Sequence, residues 1–117
     1  MRFEQLDVWK RAARLLANLY RALANSREYA FKDQITRSAR SIASNIAEGY
    51  KRKGAKDRAK LLNYAKGSCG ELRSQLYISI EAGFIPKEQG AEWIRETKEL
   101  SKMLHGLTKT LGKPDNP

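Results

Sequence analysis

Residues 55–82 read AKDRAKLLNYAKGSCGELRSQLYISIEA, and their spacing decides the fold. Leu62, Ala65, Cys69, Leu72, Leu76 and Ser79 recur at intervals of three and four over nearly three heptads. That period keeps small and apolar side chains on one face of a helix and is incompatible with a strand, whose faces alternate every two residues. Ile78-Ser79-Ile80 alternates briefly but lies inside the stripe. The segment is therefore a long amphipathic helix that needs partners for its apolar face.

Three further segments supply those partners. Upstream, Glu4–Ala24 carries Val8, Ala12, Leu15, Leu19 and Ala22, with Trp9, Leu16 and Leu23 widening the stripe, before Asn25-Ser26-Arg27 offers turn and capping chemistry. Tyr29–Arg52 carries Ile35, Ala39, Ile42, Ile46 and Gly49, and its Ala39, Ala43, Ala47 and Gly49 leave a thin helix that a neighbour can approach closely. Gly54 is expected to cap it in the left-handed conformation that glycine adopts without strain. Downstream, Gly83 ends the 55–82 helix and Pro86 opens the next at Lys87-Glu88-Gln89. That helix runs to Leu111 with Trp93, Thr97, Leu100, Leu104 and Leu107 on one side, and Gly112-Lys113-Pro114 stops it. Connections this short make neighbouring helices antiparallel. The expected architecture is an all-α, up-down-up-down four-helix bundle over residues 1–112, with a short tail at 113–117.

The 117 residues suffice for one domain and one core. A single Cys excludes an intrachain disulfide framework and suits a reducing compartment. No stretch approaches the roughly 18 apolar residues of a membrane span, and acids interrupt the first residues where a signal peptide would be apolar. A cytoplasmic protein without a membrane role is expected.

Charge is the unusual feature. The chain has 23 Lys and Arg against 13 Asp and Glu, a net charge of +10. Residues 1–60 hold 15 basic and 6 acidic side chains; the remainder hold 8 and 7. Lys51, Arg52, Lys53, Lys56, Arg58 and Lys60 place six cations in ten residues at the junction of the second and third helices. Arg37 and Arg40 lie further up the second helix, and Lys10, Arg11 and Arg14 on the first. A basic excess confined in this way points to a nucleic-acid surface, with salt-dependent affinity and little sequence preference. The competing reading is a solvated charge run or a dock for an acidic protein.

Catalytic chemistry finds little support. His105 is the only histidine and has no metal-completing partner. A helical-bundle nuclease would pair it with a closely preceding arginine, whereas Lys102, Lys98 and Arg95 precede it here. Gly67-Ser68-Cys69-Gly70 superficially resembles a nucleophilic-cysteine loop, but Cys69 falls on the apolar stripe, so a core thiol is expected. Gly67 and Gly70 are expected to permit close helix packing, which would offset their helix-propensity cost of about 1 kcal/mol each. Gly49–Gly54 lacks the Gly-Lys-Ser/Thr ending of a phosphate loop. No catalytic residue, metal or cofactor is implied. Ser38, Ser41, Asn45, Glu48 and Arg52, with Ser68, Glu71 and Gln75 on the third helix, form a polar stripe suited to contacts between helices or subunits. Ser41, Asn45, Glu48 and Glu71 are its principal candidates.

Phe3-Glu4-Gln5-Leu6-Asp7-Val8-Trp9-Lys10, Gln34-Ile35-Thr36-Arg37-Ser38-Ala39, Ser41-Ile42-Ala43-Ser44-Asn45-Ile46-Ala47-Glu48-Gly49 and Gly67-Ser68-Cys69-Gly70-Glu71-Leu72 resemble the four-helix-bundle proteins encoded in bacterial 23S ribosomal RNA intervening sequences. The resemblance covers nearly the whole chain, and the Ser41–Gly49 run is its specific part. Ala43 stands where that run usually has proline, which implies a straighter second helix. The basic stretch is not part of the strict pattern. The resemblance implies a ring-shaped homo-oligomer, typically a pentamer. A related group, accessory proteins of diversity-generating retroelements, consists of basic pentamers that bind nucleic acid and a reverse transcriptase, so those partners are expectations here too.

Overall fold

The computed structural model describes residues 2–112. The tail at 113–117 lies outside the described residues. A single 3-10 turn, Phe3–Gln5, leads into four helices: α1 (Asp7–Leu23), α2 (Tyr29–Lys51), α3 (Ala55–Glu81) and α4 (Lys87–Leu111). They form a rod of 54 × 20 × 19 Å in which α1 neighbours α2 and α4, and α3 neighbours the same two. This is the expected antiparallel bundle. The α2–α3 and α3–α4 seams are the closest, and α1 and α4 are the most loosely joined.

The stripes read from the sequence form the core. Leu19, Ile35, Ile42, Ile46, Leu62, Leu72, Leu76, Leu100 and Leu104 are completely buried, and Cys69 and Thr97 lie among them. Each large aliphatic side chain so enclosed contributes about 1.5–3 kcal/mol over leaving it in water. One expected core position is corrected: Ala22 is exposed and Leu23 takes its place, because the stripe advances by four residues from Leu19.

The helices differ from expectation in three places, two of them at helix termini. The first helix does not start at Glu4. The 3-10 turn intervenes, and Phe3 packs edge-on against Trp9 with ring centroids 5.2 Å apart. Gly54 is not a left-handed cap for α2: its backbone is extended (φ −87°, ψ 139°) and it serves as the N-cap of α3, while Arg52 ends α2. Gly67 and Gly70 do not mediate close packing, since a Cβ at either would meet open space on the exposed side of α3. Close approach belongs to Gly49, where a Cβ would lie 3.2 Å from Leu61 Cβ, and to Gly90, where it would lie 2.5 Å from Ile80.

The α3–α4 turn behaves as expected. Gly83 has φ +77°; its N–H donates to Ile80 O (3.0 Å) and the Phe84 N–H to Ser79 O (2.9 Å), the paired bonds of a Schellman cap. Phe84 then packs on Phe31 at 5.0 Å, tying this turn to the start of α2.

Candidate nucleic-acid interface

The antiparallel arrangement puts the start of α1, the α2–α3 junction and the end of α4 at one end of the rod. Lys51 Nζ lies 5.8 Å from the Phe3 ring centroid, and Leu6 shares a pocket with Leu107 and Thr110, so the chain's first residues pack there too. The half of the bundle nearer this end (residues 2–14, 41–68 and 99–112) holds 13 basic and 5 acidic residues, net +8. The opposite half (15–40 and 69–98) holds 9 and 7, net +2. The fold thus keeps most of the excess charge at one end of the rod, about as unevenly as the sequence order distributes it.

Arg52, Lys53, Lys56 and Lys60 are exposed at the junction, as is Lys10 near the start of α1. Lys51 is exposed and 3.1 Å from Glu48 Oε1, one helical turn away. Lys60 Nζ lies over the ring of Tyr64, itself exposed, at 5.9 Å. Lys102 and Lys109 of α4 are exposed in the same half. They were missed in the sequence because they stand among the core positions of a helix remote along the chain.

Arg58 has a different task. Its Nε donates to Leu111 O (2.6 Å), and its Nη1 donates to Lys53 O (2.5 Å) and Arg52 O (3.4 Å). One half-buried guanidinium therefore satisfies the last carbonyl of α4, which has no intrahelical donor, and the carbonyls of the α2–α3 link at Arg52 and Lys53. It also offsets the partial negative charge of two helix C-termini beside the lysines.

Four other predicted cations lie away from this cluster. Arg11 forms a two-pronged pair with Glu96 of α4 (3.0 and 2.5 Å). That hydrogen bond, against the opposing effect of burial, holds its pKa above the ordinary arginine value. Arg14 lines a groove of about 1010 Å³ between α1 and α4, which also contains Arg21, Arg95 and Glu92 and is floored by Leu15 and Trp93. Arg37 pairs with Asp33 (2.7 Å), and Arg40 donates to the Tyr20 hydroxyl (3.1 Å). Both belong to the half of α2 remote from the junction.

The polar stripe divides as well. Ser41 and Ser68 hydroxyls meet at 2.8 Å across the α2–α3 seam, and Ser38 donates to Gln75 (3.1 Å) and Glu71 (3.3 Å). Ser41 and Glu71 therefore join helices. Asn45 stays within α2, donating to Ser41 O and Oγ, and Glu48 pairs with Lys51 of the same helix. His105 is exposed, with Nδ1 3.5 Å from Lys66 Nζ. Cys69 is fully buried, and desolvation pushes its thiol up to about 11 despite the opposing Ser101 hydrogen bond. Among the described residues no group of three His, Cys, Asp or Glu is placed to hold a metal, and no helix is long and apolar enough to cross a membrane.

A strongly basic all-helical bundle with its cations gathered at one end is the class of protein that these features define. Residues 4–106 match the family of 23S rRNA-intervening sequence proteins, and the chain belongs to that family. It is also similar to a crystal structure of a protein with unknown function from the S23 ribosomal protein family of Bacteroides thetaiotaomicron, at 28% identity and a TM-score of 0.80, over 87% of this chain and 98% of that one. No curated protein matches the chain.

Proposed function

We propose that the chain binds nucleic acid, without catalysing a reaction on it, through the end of the bundle where α2 gives way to α3. The observation that carries this reading is the exposed set Lys51, Arg52, Lys53, Lys56 and Lys60 in the half of net charge +8. Arg58 supports it indirectly by covering the Leu111 and Lys53 carbonyls, which would repel phosphate. Neutralising about five phosphates of a duplex gives log K a slope near −4.5 against log salt, with little sequence preference.

The reading extends to assembly. Exposed Tyr64, Tyr77 and Ile78 accompany the open surface at Gly67 and Gly70, so the outer face of α3 suits contact with another copy. A homopentamer would present five basic ends together and multiply a modest affinity. Such an assembly fits an accessory of a retroelement reverse transcriptase, whose template and product are both polyanions. A reverse-transcriptase gene adjoining this one would support that role, and a solution mass of one 13.3 kDa chain would remove the ring.

The deciding experiment measures binding of an RNA duplex and an RNA/DNA hybrid across a salt series, with wild type and a Lys51→Glu, Arg52→Glu, Lys53→Glu triple variant. Steeply salt-dependent binding that the variant loses is expected. Undetectable wild-type binding at low salt, or retention unchanged in the variant, overturns the proposal.

A further inference from the structure

At the opposite end of the rod, Tyr20 of α1, Ala24 just past it, and Tyr29, Lys32, Asp33 and Thr36 of α2 line a cavity of about 330 Å³. Both tyrosines are exposed, Tyr29 at 67% and Tyr20 at 45%, although neither belongs to the core or the basic end. Their placement is nonetheless controlled. Arg40 donates to the Tyr20 hydroxyl at 3.1 Å, and Lys32 Nζ lies 5.5 Å from the Tyr29 ring centroid.

Two aromatic walls accept either a flat ring or an organic cation, and the charges decide between them. Asp33 is the only carboxylate in the lining, and it is already engaged by Arg37 at 2.7 Å. Lys32 and the neighbouring Arg40 leave the site positive, which excludes a cation as its preferred ligand. The Thr36 hydroxyl is turned back onto Lys32 O (2.9 Å), so recognition of an anionic group falls to the Lys32 ammonium. The volume is at the low end for ligand sites, suited to one small molecule.

We infer that this cavity is a binding site for a nucleobase carrying a phosphate, with the base stacked on Tyr29 and the phosphate held by Lys32. Tyr20, fixed by Arg40, forms the second wall. The same chemistry is offered by a free mononucleotide and by an unpaired residue of a nucleic acid. This site is separate from the basic end, and neither reading needs the other.

Amide chemical shifts of the full chain, titrated with AMP, adenosine, inorganic phosphate and a ten-residue oligouridylate, test the inference. AMP should shift resonances at residues 20–36 with millimolar affinity, adenosine should bind several-fold more weakly, and phosphate alone should not bind there. Tyr29→Ala should weaken AMP binding about tenfold while Tyr29→Phe retains it. Lys32→Ala should weaken AMP but not adenosine. Tyr29 is the first residue of α2 and largely exposed, so its replacement leaves the core intact. If oligouridylate binding falls in parallel in Tyr29→Ala, the natural source is an unpaired nucleic-acid residue; if only AMP binding falls, it is a free nucleotide. No AMP shifts at residues 20–36, or equal AMP affinity in Tyr29→Ala, overturns the inference. The Lys51–Lys53 triple variant should leave AMP binding unchanged, which keeps the two sites distinguishable.

Discussion

The Arg58 Nε–H donates to the carbonyl oxygen of Leu111 across 53 residues of chain, at 2.6 Å, and so fastens the last turn of α4 to the first turn of α3. The same guanidinium holds the link that follows α2, through the carbonyls of Arg52 and Lys53. Charged hydrogen bonds of this kind contribute about 1.5–3 kcal/mol. Arg58→Ala should therefore lower stability by about 2 kcal/mol, roughly a 10 °C fall in Tm for a domain of this size, read by circular dichroism. Arg58→Lys should recover only part of the loss, because an ammonium lacks the planar fork. Full recovery would show that charge alone, without the clamp, accounts for the residue.

Gly90 of α4 and the two glycines of α3 should respond in opposite senses. Gly90→Ala drives a Cβ to within 2.5 Å of Ile80 Cγ1 and Cδ1 and should destabilise by about 1–3 kcal/mol despite alanine's better helix propensity. Gly67→Ala and Gly70→Ala meet open space and should each stabilise the single bundle by up to about 1 kcal/mol. Urea denaturation distinguishes the two groups. Loss of assembly in Gly67→Ala with a gain in monomer stability would place that surface in a subunit contact.

Stability should fall as pH rises through the thiol range. Cys69 titrates near 11 in the fold and near 9 when unfolded, so the unfolded state releases its proton first and is favoured at alkaline pH. The contribution is fully present below pH 9 and is lost between about pH 9 and 11, to a limit of about 2–3 kcal/mol. The stability difference between wild type and Cys69→Ala should shrink over that interval. At pH 8 the native thiol should resist alkylation and become reactive on unfolding.

Ser41 and Ser68 should be energetically coupled. Removing one hydroxyl leaves the other without its partner across the seam, so each single alanine variant should cost about 1 kcal/mol. The double variant should cost less than the two together, by about 0.5–1 kcal/mol. Strict additivity in a double-mutant cycle would show that water replaces the bond without loss.

Much of the fold was legible because its determinants are periodic and local. Leu62–Leu76, Ile35–Ile46 and Leu100–Leu104 announce their buried faces by spacing alone, and Gly83 sits where a left-handed turn is required. The misreadings concern what spacing does not encode. Gly54 looked like a cap for the helix before it, yet the chain there is extended toward the helix after it. Gly67 and Gly70 sit one residue outside the buried stripe, which a repeat of three and four residues resolves poorly. Within the interface, Lys51–Lys60 was visible as a run of charge. The special role of Arg58 was not, because its acceptor belongs to the end of another helix. Arg11 is likewise one more basic residue by sequence, since its partner, Glu96, stands 85 residues away.

The first and last described turns of the chain, Phe3–Gln5 and the end of α4 at Leu111, lie at the same end as the lysine cluster. Attachment to a solid support through either terminus would point that cluster at the support and hide it. A tether placed instead at the α3–α4 turn, for example through Ala82→Cys, would display the cluster outward, since Ala82 is exposed and Cys69 is buried. Capture assays for duplex nucleic acid, the ligand proposed for the lysine cluster, should therefore give opposite answers in the two geometries from one and the same protein.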